Sequence, residues 1–117
     1  MKASVTFAFF LLLATATRIQ KVNGASSGET PLIKAVKSNN VNLVKRLLEI
    51  GVDAKATDRY GASALMWAAM NGNPKSVELL LPLSDVQATN NYGYTALDYA
   101  KSSGYSQIVR LLQQYSN

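Results

Sequence analysis

Apolar and polar residues follow one another along this chain at the spacing of short amphipathic helices. In "VNLVKRLLEI", residues 41–50, the apolar side chains fall on one stripe of a helix, and Gly51 follows where a helix end favours glycine. The preceding stretch "TPLIKAVKS" predicts a shorter helix, with Thr30 as its N-cap and Pro31 in its first turn. Polar residues from 52 to 60 then predict turns. The pattern therefore predicts a pair of helices followed by a turn-rich loop.

This order of elements occurs three times. The stretches "GETPLIKAV" at 28–36, "GASALMWAA" at 61–69 and "GYTALDYAK" at 93–101 align without gaps, 33 and then 32 residues apart. Four columns keep that spacing: Gly28, Gly61 and Gly93; Ala35, Ala68 and Ala100; Val44, Val77 and Val109; and Leu47, Leu80 and Leu112. The missing residue falls in a polar loop, where length variation is expected. A period of this length indicates a solenoid whose units bury their apolar stripes against each other.

The three copies resemble ankyrin repeats. The family signature "TPL-x-x-A" is present as Thr30-Pro31-Leu32 with Ala35, as Ser63-Ala64-Leu65 with Ala68, and as Thr95-Ala96-Leu97 with Ala100. The "D-x-x-G" turn is present at 58–61 and, with Asn in place of Asp, at 90–93, and the "G-x-D" helix exit at 51–53. The resemblance implies an all-α fold, an ankyrin-repeat solenoid of three helix–turn–helix repeats joined by short turns or hairpins. It covers residues 25–117, with repeats at about 25–57, 58–89 and 90–117.

The chain departs from the family pattern at several positions. The His that usually follows "TPL" is replaced by Ile33, Met66 and Asp98, and we expect Asp98 to bond a neighbouring turn or a basic group of a partner. Pro82 predicts an early end to the second helix of repeat two, and Ser84 stands where glycine is expected. Gln113 occupies the column of Leu48 and Leu81, which predicts a solvent-facing cap at the last repeat.

The first residues predict a secretory signal peptide. Lys2 precedes an uncharged, largely apolar run over residues 3–17, which is too short to cross a bilayer comfortably, and small residues follow. Cleavage after Ala16 or after Gly24 fits the small-residue rule, so we assign residues 1–24 to the signal peptide; an uncleaved N-terminal anchor is the alternative. Export to a periplasm is the prediction, with secretion as the alternative, because a small exported domain without Cys is more typical of the bacterial periplasm. After cleavage we expect no stable membrane insertion.

Removal of residues 1–24 changes the charge of the protein. The full chain has 12 basic and 7 acidic residues, a net charge of +5. Lys2, Arg18 and Lys21 leave with the signal peptide while every acidic residue stays, so the remaining domain has 9 basic and 7 acidic residues, or +2. Nucleic-acid binding needs clustered basic residues, which do not remain, and we exclude nucleic acid as a partner class.

The residue types needed for catalysis are scarce. The chain has neither Cys nor His, so a thiolate nucleophile and an imidazole base are both missing. The pairs Lys37-Ser38 and Lys101-Ser102 lie at helix ends, where such residues are ordinary solvated positions. Asp residues are scattered singly over the repeats, which does not indicate a metal site, and no phosphate-binding glycine loop or other cofactor motif is present. We therefore expect a protein that is not an enzyme, with no cofactor and no metal.

The resemblance implies a binding surface made of turn tips and first-helix residues. Carried over to this chain, those positions are, at the tips, Arg59, Tyr60, Ala62, Asn91, Tyr92 and Tyr94 and, on the first helices, Lys37, Met70, Asn71, Ser102 and Ser103. Tyr and Arg are frequent interface anchors and Met is an adaptable apolar contact. Two positions keep an alternative: Tyr60 and Tyr92 share a column and would also suit packing of turn against turn. Trp67 shares a column with Tyr99, where inter-repeat packing is expected first and a contribution to the rim of the binding surface second.

Protein binding is the function that these observations favour. The resemblance is to small exported ankyrin proteins of bacteria, some similar in plan to self-protection inhibitors of peptidoglycan DD-endopeptidases. It implies a module that binds and inhibits or masks a periplasmic enzyme such as a cell-wall hydrolase. The alternatives are an assembly or stability factor for a periplasmic enzyme such as a catalase, and a secreted effector that acts on host proteins.

Overall fold

The computed structural model describes residues 28–116, except for the side chain of Ser116. The predicted signal peptide and the start of repeat one lie outside the described residues. Six α-helices occupy the described part of the chain: α1 Pro31–Lys37, α2 Val41–Glu49, α3 Ala64–Asn71, α4 Pro74–Leu80, α5 Ala96–Ser103 and α6 Ser106–Ser116. A short 3-10 helix, Leu81–Leu83, follows α4. Between residues 28 and 116 the extended backbone forms no strand, only an isolated bridge of Thr57 with Ser63. The all-α helix–turn–helix architecture is confirmed.

The first helix of each unit begins and ends by the same means. Thr30, Ser63 and Thr95 are the N-caps, and each hydroxyl accepts a hydrogen bond from the backbone N–H three residues later. At the other end, Gly72 and Gly104 adopt left-handed conformations with φ of 72° and 76°. Asn39 takes the equivalent place in unit one at φ 57°, which Asn tolerates better than most residues. The tight turn between paired helices is thus set by local residue choice.

Repeat two ends its second helix in its own way. Helix α4 stops at Leu80, and Pro82 lies in the 3-10 turn that follows, as the sequence predicts. Ser84, in the place of the usual glycine, donates its hydroxyl to the Leu80 carbonyl over 2.7 Å. The Ser84 side chain therefore helps to close the end of α4.

The three helix pairs stack in two layers. Helices α1, α3 and α5 are neighbours in one layer, and α2, α4 and α6 in the other. The repeated alanine column lies between the layers, with Ala35, Ala68 and Ala100 all buried. Larger residues such as Leu65, Leu80 and Leu112 complete a continuous core. Each unit therefore shares its core with its neighbours.

The two ends of the described stack differ in chemistry. Ile33 and Met66 are buried whereas Asp98, in the same column, is exposed, so this column faces the next unit. Gln113 is exposed as well, which confirms the predicted polar cap on unit three. At the opposite end, Leu43 is 40% exposed, although Ser76 and Ile108 in its column are buried by the preceding unit. Unit one therefore exposes an apolar residue in this layer, whereas unit three exposes Asp98 and Gln113.

Candidate protein-binding surface

The turn tips of units two and three are each built around one side chain that bonds the backbone ahead of it. The carboxylate Oδ1 of Asp58 accepts hydrogen bonds from the N–H groups of Tyr60 and Ala62, over 2.9 and 3.0 Å. Asn90 takes the same position in unit three, and its Oδ1 accepts from Tyr92 and Tyr94 over the same distances. Asp and Asn favour such turns because a short side-chain acceptor reaches the backbone two residues on. The residues that carry these tips are therefore held in one conformation.

The same two side chains tie each tip to a first helix. Asp58 Oδ2 accepts a hydrogen bond from the indole Nε1–H of Trp67 over 3.0 Å. In unit three, the Asn90 amide donates to the Tyr99 hydroxyl over 2.6 Å. An indole N–H can only donate and needs an acceptor, whereas a Tyr hydroxyl can also accept from an amide. Tip residue and helix aromatic are therefore chemically matched within each unit.

The tips of units two and three are joined through their backbones. The Asn91 N–H donates to the Tyr60 carbonyl over 2.9 Å, and the Asn91 side chain donates to the Arg59 carbonyl over 3.1 Å. Gly61 makes this approach possible, because a Cβ at that position would lie 3.0 Å from the Asn91 nitrogen and closer still to its side-chain oxygen. The two tips therefore present their side chains as one surface.

We call this the tip surface and define it as Arg59, Tyr60, Asn91, Tyr92 and Tyr94, all of which are exposed. The ring of Tyr60 is stacked by the guanidinium of Arg59, whose carbon lies 5.6 Å from the ring centre. The contact of turn against turn is made by the backbone and not by the rings of Tyr60 and Tyr92, which remain 47% and 67% exposed. Tyr side chains lose little conformational entropy when a partner binds, because they have few rotatable bonds.

A family model described as ankyrin repeats (three copies) matches residues 3–90 and 51–117. The chain belongs to the ankyrin-repeat family. Its curated relatives include the mitochondrial disaggregases of Bos taurus and Homo sapiens, which are 46% and 43% identical to it over 56 residues. A third is the ankyrin repeat domain-containing protein SAT10 of Stachybotrys chartarum, 38% identical over 50 residues. These alignments cover 48%, 48% and 43% of this chain but only 8%, 8% and 3% of the relatives.

Three candidate residues have structural roles in the ankyrin stack. Ala62 is only 2% exposed, so it cannot offer a partner a contact surface and is removed from the candidate set. Met70 is half-buried and packs against the core. The Asn71 amide donates to the Val36 carbonyl over 3.1 Å, which ties α3 to the end of α1. The repeat pattern does not predict this last contact, because it depends on a side chain reaching across two units.

Trp67 and Lys37 form a second inter-repeat contact. The Lys37 ammonium lies 4.5 Å from the centre of the Trp67 ring and pairs with the carboxylate of Glu29. Trp67 is half-buried, in line with the packing role expected first. Ser102 and Ser103 are exposed on α5 at the open end of the stack.

The Ser–Lys pair of unit one is engaged in the fold. Ser38 donates its hydroxyl to the Lys34 carbonyl over 2.8 Å, while Lys37 pairs with Glu29. Asp98 accepts from the Thr95 N–H, so it caps its own helix and does not bond a neighbouring turn. Among the described residues, acidic side chains do not gather into a group that would hold a metal ion. None of the helices between residues 28 and 116 is both long and apolar enough to cross a membrane.

Proposed function

We propose that this ankyrin protein is a non-enzymatic, exported module that binds one protein through its tip surface and inhibits or masks it. The partner proposed is a periplasmic enzyme of the peptidoglycan hydrolase class, in a self-protection role. The observation that carries the binding proposal is the fixed cluster of exposed Tyr60, Tyr92 and Tyr94 with Arg59, held by backbone bonds between two repeats. Such anchors dominate the binding energy of many interfaces.

The inhibitory role rests on an argument from architecture. The aromatic side chains of the tip surface are exposed on consecutive turns that are hydrogen-bonded to each other, so we expect a single partner to contact them together. A module with one such surface is suited to covering a site on an enzyme. The proposal implies a complex of fixed stoichiometry and no activity of the module alone.

The disaggregase activity named for two relatives is not extended to this chain. The aligned segment spans 56 residues and 8% of those proteins, so what is shared is the repeat and its capacity to present a surface. A repeat scaffold carries many unrelated functions, and its partner is decided by the tip residues.

Affinity capture from a native envelope extract tests the proposal. The full chain with a C-terminal tag is the bait, and a captured enzyme is then assayed with and without stoichiometric amounts of the purified protein. Recovery of a wall hydrolase whose activity falls supports the inhibitor. Recovery of an enzyme such as a catalase, whose activity rises when the protein is added, would replace the inhibitor role by that of an assembly or stability factor. Recovery of host cytosolic proteins alone would overturn both periplasmic roles.

Export is tested by the N-terminus of the protein recovered from the periplasm. A signal peptide predicts a start at Thr17 or Ala25, after Ala16 or Gly24. The family match also covers most of this segment, from residue 3 onward. An intact N-terminus in a cytosolic fraction would contradict export and assign the segment to the retained repeat array.

A further inference from the structure

The open end of unit three contains a cavity of about 490 Å³. It is lined by Gly93, Tyr94, Asp98, Tyr99 and Ser102. The rings of Tyr94 and Tyr99 meet edge to face, with their centres 5.7 Å apart and their planes at 64°. We call this cavity the end pocket. It adjoins the tip surface through Tyr94, which belongs to both.

The end pocket lies on one side of unit three. In units one and two, the corresponding side is covered by the next unit. The pocket residues occupy the repeat positions of Gly61, Ala62, Met66, Trp67 and Met70 in unit two. There, Gly61 meets the tip of unit three, and Ala62 and Met66 are buried. In unit three the small Ala is replaced by Tyr94 and the apolar Met by Asp98. These replacements turn an apolar seam into a pocket that combines two aromatic rings with a carboxylate.

That combination fits a positively charged group. One Asp98 oxygen accepts a hydrogen bond from the Thr95 N–H, and a carboxylate has capacity for further donors. No ion pair to Asp98 is formed by the Lys and Arg side chains of residues 28–116. A cation in the pocket would gain both the carboxylate and the aromatic rings, whereas an apolar occupant would remove water from Asp98 without compensation.

The protein already binds one of its own cations in this way. Lys37 of unit one lies over the ring of Trp67 and pairs with the carboxylate of Glu29. Trp67 and Tyr99 share one repeat column, so the aromatic position of this arrangement recurs in the end pocket. Glu29 lies in the column of Ala62 and Tyr94, so only the aromatic position recurs, and the carboxylate of the end pocket is supplied by Asp98 instead.

We infer that the end pocket binds the cationic end of an Arg or Lys side chain of the partner protein. The inference rests on the proposed function and names the chemistry that the partner presents beside the tip surface. A partner residue in this pocket would fix the position of the tip surface along the partner, because Tyr94 belongs to both.

A titration followed by NMR tests the inference on the full chain. The probes are N-acetyl-arginine amide and N-acetyl-lysine amide, with N-acetyl-citrulline amide as the neutral match of the first. Binding of either cationic probe is expected to shift the resonances of Tyr94, Asp98 and Tyr99. The citrulline probe is expected to leave these resonances unchanged. Equal shifts with citrulline, shifts elsewhere only, or no binding of either cation would overturn it.

Asp98→Asn isolates the charge. The Asn side-chain oxygen keeps an acceptor for the Thr95 N–H, so the helix cap is retained while the negative charge is lost. Affinity for the cationic probe should fall about three- to fivefold, the range expected for an exposed ion pair. Asp85→Asn removes the same charge from a distant loop and should leave affinity unchanged. Unchanged affinity in Asp98→Asn contradicts the pocket, and if this variant still captures the partner, the proposed function stands without it.

Discussion

The Asp58 carboxylate bonds the indole N–H of Trp67, nine residues along the chain, over 3.0 Å. Asn90 and Tyr99 repeat the link in unit three with the donor and acceptor reversed. Each pair joins a turn tip to a first helix. Where the tip residue changes from Asp to Asn, the helix aromatic changes from Trp to Tyr. In units two and three, a hydrogen bond to the first helix therefore orients the turn tip. The donor and the acceptor of each bond must match.

Replacement of Asp58 and Trp67 by Asn and Tyr, the residue types of unit three, should reveal this match as an energetic coupling between the two positions. In Asp58→Asn the amide nitrogen faces an indole that can only donate, so we expect a loss of about 1–2 kcal/mol in the free energy of unfolding. In the Trp67→Tyr background the same change should cost about 1 kcal/mol less, because a Tyr hydroxyl accepts from an amide. Urea denaturation followed by circular dichroism measures the four proteins of the cycle.

Asn90→Asp is the matched control in unit three. The Tyr99 hydroxyl can reverse its role and donate to the new carboxylate, so the expected change in stability is within about 0.5 kcal/mol. An Asp58→Asn cost that is the same in the wild-type chain and in the Trp67→Tyr background would show that the link contributes nothing specific.

The helices and their repeat were predictable from sequence for a physical reason. Apolar spacing reports which side of a helix is buried, and the caps Thr30 and Thr95 act on backbone groups within one turn. The Asp58–Trp67 link was not predicted, because it depends on how a loop folds back on a helix. The burial of Ala62 and the bond from Asn71 to Val36 were missed likewise, since neither residue's periodic position reveals its neighbours in the next unit.

Two glycines that share a column should respond differently to Ala. Gly61 and Gly93 both have positive φ, 77° and 85°, so Ala at either costs about 1–2 kcal/mol in backbone strain. At Gly61 the new Cβ would also press on the Asn91 backbone, whereas nothing lies within 4 Å at Gly93. Gly61→Ala should therefore lower the unfolding free energy by clearly more than Gly93→Ala in urea titrations. Equal losses would mean that the two tips are not in contact.

Replacement of Ser76 by Ala should stabilise the protein. The Ser76 hydroxyl is buried on α4 and has no hydrogen-bond partner among the described residues, in a column otherwise filled by Leu43 and Ile108. Ser76→Ala removes an unsatisfied polar group and should raise stability by about 1 kcal/mol, or roughly 4–8 °C in Tm. Ser102→Ala, on the exposed face of α5, controls for helix propensity and should gain less. A fall in Tm for Ser76→Ala would indicate that the hydroxyl has a partner.

Binding of the partner by the tip surface is tested by a matched pair of double variants. Arg59→Ala with Tyr94→Ala removes one Arg and one Tyr from the tip surface. Arg110→Ala with Tyr115→Ala removes the same residue types from α6, where Tyr115 is as exposed as Tyr94, at 51%. Calorimetric titration of each variant with the captured partner gives the two Kd values. We expect a Kd weaker by about thirtyfold or more for the tip variant, as when an anchor worth about 2 kcal/mol is lost, and no change for the α6 variant. Equal Kd values for the two variants, with both still folded, would contradict binding by the tip surface.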